Sequence, residues 1–291
     1  RLILRIVCDD SSALYKLNYQ FGASLHDTRH LLTVARQLNL DVIGVSFHVG
    51  GGCPEVDAWS VAISNAKRVF EEGAEIGFSF SLLDIGGGFP GEPTAHIHFD
   101  DICDAVSVAL EEHFPADSRV RVIAEPGRYM VGSALTLVVN VIAKRTVFCG
   151  NDETGTKEAE NMLYVNDGVF GSFFIRKLYN DVPFPTLLEA VEDEGKEKCR
   201  TSIWGPTCAG LDCILADVMM PDVDVGSWLA FENMGAYGVV VAPGFNGFPK
   251  PSLYLASDPE KPRRLSEVVK KEKEEKEKEE RGTAVQEHPS H

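Results

Sequence analysis

A short apolar run that ends in an acid and three consecutive glycines, Leu82-Leu83-Asp84-Ile85-Gly86-Gly87-Gly88-Phe89-Pro90-Gly91, constrains this chain more than any other stretch. The apolar run reads as a buried strand. The glycines read as a loop where the backbone approaches something that a side chain would hold away, and successive N–H groups can then converge on an anion. A second loop of the same kind follows a second apolar strand in Val120-Arg121-Val122-Ile123-Ala124-Glu125-Pro126-Gly127-Arg128-Tyr129, and it adds a fixed positive charge, Arg128. Read alone, either loop is a tight strand-to-helix turn. Together, one helix length apart, they fit the last two strand-loop units of a parallel α/β barrel, where barrel enzymes often hold a phosphate. The pair points to a phosphorylated cofactor.

The flanking pattern agrees. Leu2 to Val7 reads as a strand, Asp27 to Leu38 has helical spacing, Asp41 to Val49 is a nearly continuous apolar strand, and Trp59 to Glu72 carries an apolar stripe. A helix is expected from about Phe99 to His113. Unbroken apolar strands between helices belong to a parallel sheet covered on both faces, and four of them make half a barrel. After Ser133 the texture turns β-rich at Leu135 to Thr146, Asn161 to Val165, Ser227 to Phe231 and Tyr237 to Ala242, with polar loops at Gly150 to Glu160 and Glu189 to Arg200. The expected organisation is a partial barrel over residues 1–133, a mostly antiparallel β domain over 134–258, and a tail over 259–291. Lys270 to Arg281 is almost entirely Lys and Glu, with no apolar stripe, so the tail reads as a solvated helix or as disorder.

The formal charge of -16 argues against nucleic acid, which demands a basic face. No run of eighteen apolar residues occurs and no cleavable signal opens the chain, so the expectation is a protein of the cytoplasm with no membrane partner. Seven cysteines lie scattered without Cys-x-x-Cys pairing, which fits neither a zinc site nor a disulfide framework. The chain opens on Arg1 and runs straight into an apolar strand, from which a preceding segment is expected.

His48 stands at the end of the Val42-to-Val49 strand and Glu125 at the end of the last one, the strand ends that form a barrel's mouth. A lone histidine there is more often structural. A carboxylate at such a mouth can pair with a protonated ring nitrogen while an imidazole lies against the ring. Ring, phosphate, acid partner and stacking partner together describe pyridoxal phosphate.

At these residues the chain resembles the eukaryotic ornithine decarboxylase family, which includes the antizyme inhibitors. The resemblance rests on Ser46-Phe47-His48-Val49-Gly50, Asp84 to Gly91, Glu125 to Tyr129, Trp204-Gly205-Pro206-Thr207-Cys208, Glu232 to Tyr237 and Phe245-Asn246-Gly247-Phe248, in order, and it covers residues from Leu2 to about Tyr254. It implies an alanine-racemase-like (β/α)8 barrel, of which this chain holds the C-terminal half, followed by the β domain. It also implies a homodimer with shared active sites, the decarboxylation of ornithine to putrescine in polyamine biosynthesis, and pyridoxal 5'-phosphate as cofactor. Antizyme is the implied protein partner, with a non-catalytic regulator of the antizyme-inhibitor kind as the alternative function. Gly88, Gly127, Arg128 and Tyr237 would hold the phosphate, with Gly86, Gly87 and Gly51 beside them. Glu125 would pair with the pyridine nitrogen, His48 would stack on the ring, and Arg5 would lie nearby. Cys208, from the partner subunit, would return a proton after carbon dioxide leaves; an ordinary buried thiol is the plainer alternative. Three departures stand out. The family's lysine that joins the cofactor is expected upstream of Arg1. Gly51 replaces a phosphate-binding serine, which removes a hydroxyl donor though not the backbone N–H. Ala209 replaces an acid that grips the substrate's distal ammonium, with Asp181 as the candidate for the other substrate acid, Asn180 as the alternative, and Phe245 close by. The expected substrate is therefore an amino acid, with preference shifted toward neutral aliphatic ones.

Overall fold

The computed structural model describes residues 1–92, 97–151, 156–188 and 198–254. Arg1–Lys250 form one unit; the second unit, Pro251–His291, is described only at residues 251–254, which carry no helix or strand, so the expected charged tail lies outside the described residues.

The first half of the chain alternates strand and helix: β1 (Leu2–Arg5), α1 (Thr28–Gln37), β2 (Val42–Ser46), α2 (Asp57–Ile76), β3 (Leu82–Asp84), α3 (Phe99–His113) and β4 (Arg121–Ile123). All four strands are parallel and lie in sequence order, as right-handed strand-helix-strand crossovers place them. The core is a single cluster. Trp59, Ala62, Ile63, Ala66 and Val69 recur on one face of α2 and pack with Val45 and Phe47 from β2 and its exit, Leu83 from β3, and Ile102 and Val106 from α3. α2 ends where Gly77 takes the left-handed conformation at φ +95°. α3 starts at His98, whose N–H donates to the Asp101 carboxylate at 3.2 Å.

A short helix α4 (Gly127–Val131) leads into the second sheet: β5 (Leu137–Asn151), β6 (Thr156–Val165), β7 (Thr186–Leu187), β8 (Lys198–Trp204), β9 (Cys213–Pro221) and β10 (Trp228–Phe231), with a short helix α5 (Phe174–Leu178) between β6 and β7. The six strands run in the order β7-β10-β5-β6-β8-β9, antiparallel throughout except for the β6–β8 pair. Val139, Val141, Leu163, Phe173, Ile203, Ile214 and Phe231 fill its own core.

Three sequence expectations change. The polar segment from Gly150 to Glu160 is mostly ladder, with Gly150 paired to Lys157 and Asn151 to Thr156. An antiparallel hairpin that projects from its sheet needs no apolar face to keep its backbone bonds. Of the second polar loop, residues 189–197 lie outside the described residues, and Lys198 to Arg200 already belong to β8. Tyr237 to Ala242 is not a strand. Asn233 and Tyr237 have φ +59° and +54°, which no strand accommodates, and the N–H groups of Met234 and Gly235 donate to Leu135 and Gly132 rather than to a ladder.

β1 is paired on one side only and leaves Leu2 48% and Ile3 37% exposed. An apolar edge of this kind templates association. The chain is expected to self-associate at micromolar concentrations, and Leu2→Lys to shift it toward monomer by light scattering; an unchanged size distribution would locate the association elsewhere.

Candidate active site

The parallel sheet brings its C-terminal strand ends together: β2 runs into His48, β3 into the triple glycine and β4 into Glu125. Main-chain bonds lock them. The Phe47 N–H donates to the Asp84 carbonyl (3.1 Å), Ile85 to Ile123 (2.9 Å) and Glu125 to Gly86 (2.7 Å). A Cβ added at Gly87 would stand 2.8 Å from the Glu125 carbonyl oxygen and 2.9 Å from His48 Nε2, so only a glycine lets those two residues flank the loop. At Gly88, with φ +98°, a Cβ would strike the Gly50 carbonyl. The N–H groups of Gly87 and Gly88 have no acceptor among the described residues.

These strand ends open on a cavity of about 260 Å³ lined by His48, Gly51, Gly88, Glu125, Gly127, Arg128 and Tyr237, together with Tyr15 and Tyr179. The Arg128 guanidinium lies 4.7 Å from the centre of the Tyr15 ring and 5.6 Å from that of Tyr237. Its side chain is 11% exposed, and two aromatic faces hold it in place. Glu125 is exposed, with no hydrogen bond to its carboxylate among the described residues. His48 Nδ1 accepts the Gly50 N–H at 3.0 Å. Burial, reinforced by the charge of Arg5, pushes its pKa down to about 4, so the ring is neutral near pH 7. Arg5 does not line the cavity. Its guanidinium sits 5.3 Å from the Phe21 ring centre, with Nε and Nη2 buried and without an acceptor among the described residues.

Three of the expected backbone donors are already engaged, the Gly127 N–H by the Glu125 carbonyl at 2.8 Å. The Gly51 N–H, expected to remain available, donates to the Tyr15 carbonyl at 3.0 Å, and the Gly86 N–H goes to the buried Asp84 carboxylate at 2.9 Å. The Gly86 and Gly127 bonds close tight turns and the Gly51 bond is an antiparallel bridge to Tyr15; each consumes its donor. A Cβ at Gly51 would stand 3.0 Å from the Tyr15 ring, so Tyr15 fills the room that a serine there would need.

Cys208 is exposed and receives a weak hydrogen bond from Asn246 Nδ2 at 3.7 Å. Its loop is built on the buried Asp212, which accepts the Thr207 N–H (2.9 Å), the Thr207 hydroxyl (2.6 Å) and the Val169 N–H (2.7 Å). Ala209 follows directly, and Phe245 stacks on Phe170 at 4.5 Å. None of Cys208, Ala209 and Phe245 lines the cavity of Glu125 and Arg128. Asp181 faces a second cavity of about 350 Å³ that shares Tyr15, Gly88 and Arg128 with the first; Asn180 does not line it.

This second cavity contains groups that sequence reasoning passed over. Arg176 of α5, only 3% exposed, donates from Nη1 to Asp181 at 2.5 Å and from Nη2 to Glu92 at 3.1 Å, and also to the Asn233 carbonyl. Glu92 Oε1 is 3.4 Å from Arg128 Nη1, and the Tyr15 hydroxyl donates to Asp181 at 3.1 Å. The sequence carries no periodic signal for them: Tyr15 and Glu92 lie outside helices and strands, and Arg176 is one of two adjacent cations in a five-residue helix.

Residues 1–132 match the family model described as the pyridoxal binding domain of pyridoxal-dependent decarboxylases. Ornithine decarboxylase of Rattus norvegicus is 49% identical over 258 residues, covering 87% of this chain and 56% of the relative. Antizyme inhibitor 2 of Xenopus laevis is 46% identical, covering 88% and 56%. Among solved structures, arginine decarboxylase of Paramecium bursaria Chlorella virus superposes with a TM-score of 0.76 at 35% identity, over 87% of this chain and 65% of that one. The chain belongs to the ornithine decarboxylase family. It spans 56% of the length of those curated relatives.

The family's cofactor is pyridoxal 5'-phosphate, and the cavity fits it. Arg128 and the free N–H groups of Gly87 and Gly88 suit a phosphate, and the missing Cβ atoms leave room for a close approach. No helix of the described residues is long and apolar enough to cross a membrane.

The histidine makes stability depend on pH. His48 takes its proton near pH 6.5 in the unfolded chain and near 4 in the folded one, so between these values the unfolded state binds more protons and stability falls as pH falls. His48→Gln is expected to flatten that part of the profile of urea midpoint against pH, and equal slopes in both proteins would remove His48 from the effect.

Proposed function

We propose that the protein is a pyridoxal-phosphate-dependent amino-acid decarboxylase of the ornithine decarboxylase type. The observation that carries this reading is the convergence of Arg128, Gly88, Glu125 and a neutral His48 on one cavity. Pyridoxal phosphate held there would supply an electron sink for the bond to the departing carboxylate. Arg128 and the N–H groups of Gly87 and Gly88 would hold the phosphate. Glu125 would keep a proton on the pyridine nitrogen, and a neutral His48 would stack on the ring without adding a positive charge that competes for that proton. Cys208, Ala209 and Phe245 stand outside this cavity, which supports a homodimer in which their loops complete the other subunit's site and Cys208 delivers the proton.

A second reading, a non-catalytic regulator that binds antizyme, is favoured by the partly filled phosphate cradle, where Glu92 already pairs with Arg128 and Tyr15 holds the Gly51 N–H. One experiment separates the two. In the enzyme, Glu125→Gln keeps the cofactor's absorbance and loses carbon dioxide release by roughly a hundredfold or more. A regulator releases none before or after the substitution.

The substrate reading rests on Ala209. Stripping one partner from a desolvated charge pair costs on the order of 2–5 kcal/mol. At about 1.4 kcal/mol per factor of ten, that is roughly thirtyfold to several thousandfold in the handling of ornithine. The methyl also welcomes an aliphatic side chain, by about 0.8 kcal/mol for each methylene buried. On this reading the full-length parent handles ornithine weakly and prefers neutral aliphatic amino acids. Carbon dioxide release from ornithine, lysine and leucine is expected to shift toward ornithine in Ala209→Asp; a strong ornithine preference that this substitution leaves unchanged would refute it.

A further inference from the structure

Every carboxylate that faces the second cavity is held by a guanidinium of the same chain. Asp181 Oδ2 receives both Arg176 Nη1 (2.5 Å) and the Tyr15 hydroxyl (3.1 Å), and Glu92 Oε1 sits between Arg176 Nη2 (3.1 Å) and Arg128 Nη1 (3.4 Å). Burial raises the Tyr15 pKa to about 12, which keeps its hydroxyl a donor. Two acids and two arginines leave no net charge, and the remaining wall is largely apolar, with Leu14, Pro90, Ile97 and Pro183.

We propose that Arg176 sets the substrate class of this pocket: by neutralising Asp181 it disfavours side chains that end in a cation and admits uncharged aliphatic ones. The inference rests on the reading of these cavities as an amino-acid site and adds to the argument from Ala209, because it shows that the other candidate acid is also out of service. A distal ammonium could claim Asp181 fully only by displacing Arg176. That would leave a guanidinium that is 3% exposed, and whose Nε already lacks an acceptor, with Glu92, which it shares with Arg128, as its one carboxylate beside the Asn233 carbonyl. Breaking a buried pair by removing one partner is strongly unfavourable. No such cost meets an alkyl end.

Two amines isolate the distal group: butylamine and 1,4-diaminobutane share one ammonium and differ in the other. By calorimetry on the whole chain, the wild type is expected to bind them with dissociation constants within about threefold of each other. Arg176→Met, checked for its fold by circular dichroism, is expected to favour the diamine by at least about tenfold, which corresponds to about 1.4 kcal/mol. Arg176→Lys, which keeps the charge, is expected to retain the wild-type ratio. Because the ratio is read, a general loosening of the pocket cancels. A wild type that prefers the diamine tenfold, or a folded Arg176→Met with an unchanged ratio, overturns the inference and leaves the amino-acid site standing. Failure of both amines to bind any of the proteins overturns that site and the inference with it.

Discussion

The close approach of three strand ends through a side-chain-free loop is the constraint on which the rest of this structure depends. Gly87 passes between the Glu125 carbonyl and the His48 ring, and Gly88 passes the Gly50 carbonyl, at separations that leave no room for a Cβ. Two consequences follow from one geometry. The Gly87 and Gly88 N–H groups stay unspent among the described residues, and the strand ends that carry His48, Glu125 and Arg128 are pinned around the same space. A rigid parallel sheet supplies the positions, and the loops at its carboxyl ends supply the chemistry.

Charge inside the site is balanced locally rather than left for a ligand to balance. Arg128, Tyr15, Asp181, Arg176 and Glu92 form a closed circuit of one cation–aromatic contact, one hydroxyl bond and three ion pairs. In a partly buried setting such groups are costly to leave unpaired, so any ligand that takes one member must satisfy the others or displace them. A phosphate at Arg128 would compete directly with Glu92. This ties the anion cradle and the second cavity together through shared side chains, without any movement of the backbone.

The elements were legible where pattern and packing agree. The stripe at Val61, Ala62, Ala66, Val69 and Phe70 marked α2, and Phe99 to His113 marked α3; Ala62, Ala66 and Val69 are buried in the core and Phe70 packs against it, whereas Val61 faces outward at 58% exposed. Legibility failed where hydrogen bonding overrode composition. The β5–β6 pair keeps its backbone ladder through a polar stretch, and the β-like run from Tyr237 to Ala242 opens on a left-handed Tyr237, just after Met234 and Gly235 have tied the chain to the α4–β5 connection.

The sequence by itself determined the parallel half-sheet, the two glycine loops at its strand ends and the family, and it placed Arg128, Glu125 and His48 at those strand ends, because each is written in a contiguous run of residues. Only the tertiary structure decided which donors are spent and which charges are cancelled. Tyr15 reaches Gly51 and Asp181 across 36 and 166 positions, and Arg176 reaches Glu92 across 84. Such pairings follow from how separate segments pack, and no local pattern encodes them.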